Sequence, residues 1–165
     1  MRELRWASEE GDGIEHLVFD ARDDGFAVES VVIGQRYGKA YGLHYTVRCD
    51  ARWRTRYAHL KIVGGGELEL HGDGEGHWHD GHGLALSAIE GCIDIDIAAT
   101  PYTNTLPIRR LQLAEGERST DRSRVHLDAG LAGYARRAGI HVHRVEWRVP
   151  LRRHFSRVHR QYARG

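Results

Sequence analysis

Apolar residues at every second position, in short runs cut off by glycine, constrain this chain more than any other feature. In residues 42–50, Leu43, Tyr45, Val47 and Cys49 alternate with His44, Thr46 and Arg48. A period of two places successive side chains on opposite faces of a strand, and a helix cannot sort them that way. Residues 17–19 and 28–33 read as strands for the same reason. Residues 53–60 alternate again, so 43–60 reads as a hairpin or a long bent strand. Residues 67–71 and 92–98 complete the set. Gly11-Asp12-Gly13, Asp24-Gly25, Gly38, Gly64-Gly65-Gly66 and the glycines of 72–76 separate the runs. The chain holds 20 glycines and only 3 prolines, which supports many turns and few long helices. The expected class is mostly β (α+β), an antiparallel sheet that curls into a barrel, a roll or a sandwich. Periodicity leaves those three open.

Length and charge narrow the function classes. A chain of 165 residues fits a single domain over 1–165, with enough length to bury a core. A net charge of +1 gives no general reason to expect nucleic acid or an anionic membrane as partner. Cys49 and Cys92 lie far apart, with neither a metal-ligand spacing nor the density of a disulfide framework. The first residues, Met-Arg-Glu-Leu-Arg-Trp, lead into an acidic, glycine-rich stretch with no apolar segment of a secretory leader. No window approaches eighteen consecutive apolar residues, so no transmembrane segment is expected. A cytoplasmic protein with reduced thiols and no cofactor is the expectation.

The most distinctive run is Gly91-Cys92-Ile93-Asp94-Ile95-Asp96-Ile97-Ala98-Ala99-Thr100-Pro101-Tyr102-Thr103-Asn104-Thr105-Leu106-Pro107-Ile108-Arg109-Arg110-Leu111. It resembles the signature of a bacterial family of glycolipid-binding proteins. Shorter echoes flank it: Leu43-His44-Tyr45, Trp53-Arg54-Thr55-Arg56, and Asp73-Gly74 followed by Trp78. The resemblance is strongest over 91–111 and covers about 5–113. It implies a spiral β-roll, in which a many-stranded sheet wraps around a single α-helix. It also implies an amphipathic ligand, a glycolipid, and it brings no catalytic residues.

The same run can be read from its residues. Ile93, Ile95 and Ile97 supply one buried strand face, and Asp94 with Asp96 the other. Pro101 lacks a donor and restrains Thr100, which ends the strand. Thr105 as N-cap with Pro107 in the first turn is a helix start, although the wrapped helix can equally lie in the tail. Asp94, Asp96, Thr103, Asn104, Arg109 and Arg110 thus fall close together, and these six are the candidate ligand-binding residues. Paired carboxylates bind sugar hydroxyls or act as acid and base, and they also occur as a solvated face paired to Arg109 or Arg110.

Other features are less pointed. His77-Trp78-His79-Asp80-Gly81-His82 has donors for zinc or nickel, but it sits in a glycine-rich loop without an evident fourth ligand, and no metal site is expected there. Trp6, Trp53, Trp78, Trp147, Tyr41, Tyr45 and Tyr57 suit a core as well as a sugar platform. Gly38-Lys39 lacks the spacing of a phosphate loop. From 116 to 165 the chain turns basic and rich in Arg and His. A solvated face, a phosphate-binding surface and a diverged or frameshifted ending all fit that composition. Within it, 127–138 reads as a helix and 144–149 as a strand. The preferred reading is non-catalytic binding of an amphipathic ligand in or on a curled sheet. The alternative is a hydrolase acting on a sugar or ester through Asp94 or Asp96.

Overall fold

The computed structural model describes residues 1–9, 11–36, 38–114, 118–128 and 139–148, the last two stretches as backbone. Seven strands follow in chain order: β1 (Arg2–Ala7), β2 (Gly13–Arg22), β3 (Gly25–Arg36), β4 (Lys39–Asp50), β5 (Thr55–Ile62), β6 (Glu67–Gly72) and β7 (Trp78–Asp80). Each pairs antiparallel with the next, so the sheet is one meander with spatial order equal to chain order. A three-stranded sheet follows, built from β8 (Asp94–Ile97), β9 (Arg118–Asp128) and β10 (Gly139–Arg148). Its β8–β9 pair is parallel and its β9–β10 pair antiparallel. The α-helix among the described residues is α1 (Thr105–Arg110). No helix of the described residues is long and apolar enough to cross a membrane.

The alternating pattern sets the face of each strand. Leu17 pairs with Ser30, Ser30 with Tyr45, and Tyr45 with Leu60, so these four share one side of the sheet. All four are buried, with Val28, Leu43, Val47, Ala58 and Leu70 on the same side. The 89–106 segment closes over this concave side with Ile89, Cys92, Ile95, Ile97, Tyr102 and Leu106, and Leu106 of α1 reaches the core. The sheet therefore curls around a segment that carries α1. Residues 43–60 resolve as a hairpin, with Tyr45 opposite Leu60.

Two local readings differ from the structure. Thr105 is the first residue of α1 rather than its cap, and Asn104 takes the cap position without a capping bond from its side chain. Asn104 is already helical (φ −64°, ψ −25°), whereas a capping side chain needs an extended backbone to reach back to the first amides. The helix read over 127–138 meets a strand at its start, because Leu127 and Asp128 close β9. Ile95 and Ile97 are in register with Val125 and Leu127, and this pairing outweighs the local helical pattern. Residues 129–138 lie outside the described residues. The strand read over 144–149 falls in β10 as far as Arg148.

Candidate functional site

The structure brings the six candidate residues into one unit but uses them differently. Asp94 is 1% exposed. Arg110 donates to its Oδ2 through Nε at 3.1 Å and through the terminal nitrogen at 2.7 Å. Alternation alone gave Asp94 a solvated face, whereas β8 is covered on both sides: by the meander's core and by α1. Thr103 donates to Asp96 Oδ1 at 3.2 Å and accepts the Ile97 amide at 3.2 Å. Asn104 and Arg109 are exposed. Arg109 holds its guanidinium 5.6 Å from the centroid of Trp53.

Trp53 belongs to an aromatic cluster that local sequence patterning did not mark. Its ring lies 4.2 Å from Phe26 and 6.4 Å from Phe19, and those two stack at 5.2 Å. The backbone at Trp53 is left-handed (φ 66°), an uncommon conformation for a bulky residue and one that clusters at ligand sites. Asp50 holds this turn. Its Oδ1 accepts the amides of Arg52 and Arg54 at 2.9 and 3.1 Å, and its Oδ2 accepts Arg54 Nε at 2.8 Å. Burial works against its charge, but those amides and the Arg54 guanidinium outweigh it and hold the carboxyl below the usual range.

Beside this turn lies an open cleft of about 330 Å³, lined by Arg22, Asp24, Phe26, Ala27, Arg48, Cys49, Asp50 and Arg56. That volume is within the range of small-ligand sites. Arg56 is fixed there by Nε donating to the Gly72 carbonyl at 3.0 Å and by Asp50 at 3.6 Å. The cleft is more polar than the apolar groove that the binding-protein reading anticipated, and neither Asp94 nor Asp96 lines it.

Comparison with known proteins places this arrangement. A sequence model of the family described as "Putative glycolipid-binding" matches residues 3–149. The chain belongs to this family. The match runs beyond the motif-bearing stretch of 5–113. The crystal structure of a DUF1089 family protein from Pseudomonas aeruginosa is 38% identical, with a TM-score of 0.60 over 82% of this chain and 71% of that one. No curated protein matches.

In this member of the glycolipid-binding family, a further polar cluster lies on the concave side. Glu15 is buried and accepts hydrogen bonds from Ser30 at 2.7 Å, Tyr45 at 2.6 Å and Thr100 at 2.8 Å. The available signal was its phase: Glu15 stands two and four residues before Leu17 and Phe19, so a carboxyl had to fall on the apolar face. Burial pushes its pKa above the ordinary value, and the three hydroxyls oppose this without cancelling it. The folded state therefore binds the proton more tightly than the unfolded chain. Stability from this group is full below about pH 4.5 and falls as pH rises through the raised folded value. Urea titrations from pH 4 to 8 should show this decline in the wild type and lose it in Glu15→Gln. Parallel curves for the two proteins would refute it.

The histidine run disperses. His77 Nδ1 sits 2.6 Å from Asp73, whereas the His79 ring stacks on His71 across the β6–β7 pair at 4.9 Å. Trp78 turns inward and donates to the Cys92 carbonyl at 2.6 Å, which ties β7 to the 91–111 unit.

Proposed function

We propose that the protein binds an amphipathic ligand, a glycolipid, without catalysing a reaction on it. The observation that carries this reading is that one residue, Phe26, belongs both to the aromatic cluster and to the arginine-lined cleft. Phe26 itself is 6% exposed, and the half-buried Phe19 and Trp53 packed on it are the apolar patch that adjoins the polar recess, the division that a lipid with a sugar headgroup presents. Membership of the family supports the same ligand class. In this reading Phe19 and Trp53 take the apolar part, and Arg22, Asp24 and Arg56 bond the headgroup. Of the six residues nominated from the sequence, Arg109 and Asn104 face the ligand. The Asp94–Arg110 and Asp96–Thr103 contacts hold the unit that positions them.

Native mass spectrometry of protein purified without detergent tests this. A lipid with a sugar headgroup should co-purify. Arg109→Ala and Arg22→Gln should each lower its occupancy roughly tenfold, the effect of losing one charge-assisted hydrogen bond. Both residues are exposed, so melting should stay within a few degrees. Bare protein, or occupancy indifferent to both variants, would remove this site from consideration.

A further inference from the structure

The convex face of the meander carries a row of flat side chains that begins in the cleft. Strand register aligns Arg48 with Tyr57, Tyr57 with His71, and His71 with His79, across β4, β5, β6 and β7. The side chains touch in sequence. Arg48 lies 4.9 Å over the Tyr57 ring, Tyr57 meets His71 edge-on at 5.1 Å, and His71 stacks on His79 at 4.9 Å with 5° between planes. Three strand spacings of roughly 4.8 Å make the row about 14 Å long, enough to underlie more than one sugar ring.

Its edges are polar. Glu69 Oε1 sits 2.8 Å from His71 Nε2, and His59, which pairs with Glu69, runs alongside. Both ends of the row, Arg48 and His79, are exposed. Arg48 lines the cleft and makes no ion pair among the described residues, whereas Asp50 across the cleft is already engaged by Arg54 and Arg56. Flat rings bordered by acceptors and donors match the apolar faces and equatorial hydroxyls of a saccharide. A guanidinium stacked on tyrosine keeps its fork of donors for an anion.

We propose that this ladder is a saccharide platform continuing the cleft, which takes an oligosaccharide headgroup bearing a phosphate or carboxylate at its Arg48 end. The proposal rests on the amphipathic reading above and names the headgroup class.

A glycan array carrying neutral and anionic oligosaccharides, probed with the full chain, provides the test. Wild type should retain anionic oligosaccharides in preference to monosaccharides. For the strongest of these, titration calorimetry should show Tyr57→Ala and His79→Ala each weakening binding by about tenfold, with melting little changed. Arg48→Gln should erase the preference for the anionic glycan over its neutral counterpart. Retention of no glycan, or variants that bind like wild type, would overturn the proposal. Presenting the same glycan on phosphatidylcholine vesicles as a lipid conjugate separates the two readings. Tighter binding to the conjugate supports both. Equal binding to the free and lipid-linked forms keeps the platform and removes the amphipathic ligand. Conjugate binding that ignores the glycan's charge and length removes the platform and keeps the lipid.

Discussion

Replacing Arg110 with methionine should destabilise the protein by about 3–5 kcal/mol, the cost of removing the guanidinium from a buried ion pair. Asp94 is 1% exposed and Arg110 only 15%, so water cannot take over when the guanidinium is removed. The neighbouring Arg109→Ala should change stability by no more than about 0.5 kcal/mol, because an exposed side chain loses little on truncation. Adding Asp94→Asn to the methionine variant should recover part of the loss, since the buried charge is then gone. Urea unfolding of the four proteins measures all of this. Equal effects for the two arginine variants would mean that the Asp94 pair does not hold the 91–111 unit.

Truncating Ile95 to alanine should cost about 2–5 kcal/mol, from lost burial and from the cavity left behind. Ile95 is fully buried, in a strand of four residues that closes the concave side of the meander. It stands in register with Val125 of β9. The loss should therefore also appear as faster amide exchange at the β8–β9 pairing. Ile33→Ala is the control, since Ile33 is 58% exposed on the convex face. A cost for Ile95 no larger than that for Ile33 would contradict the packing described.

Part of the architecture was legible without coordinates. The alternation over 43–49 set the buried face of that strand, because a period-two pattern admits one phase once one side must leave water. In the partner strand a register shift opposite Arg48 and Cys49 breaks the phase, so that Thr55 is buried and then Ala58 and Leu60, and the pairing of Tyr45 with Leu60 decided for a hairpin over a long bent strand. The 91–111 run also announced itself through its alternating isoleucines, although β8 ends at Ile97, in a turn closed by the Thr100 amide on the Ile97 carbonyl, and not at the Thr100-Pro101 step. Only Arg110, of the two arginines considered for Asp94, forms the ion pair. The turn of α1 that carries Leu106 into the core makes that choice.

Other features depended on contacts that no local pattern encodes. Glu15 meets Thr100 across 85 positions. The cleft draws Arg22, Arg48 and Arg56 from three strands. The row from Arg48 to His79 exists because four strands stack in a particular register. Val31-Val32-Ile33 shows the limit from the other side: three consecutive apolar residues, of which Val32 is buried and the other two are exposed. By itself, the sequence determined that strands form and, where no register shift intervenes, which residues share a face. Tertiary structure decided which face is covered twice, as at Asp94, and which remains open, as at Arg48. Backbone geometry sets the alternation within each strand, whereas access to water depends on segments far away in the chain.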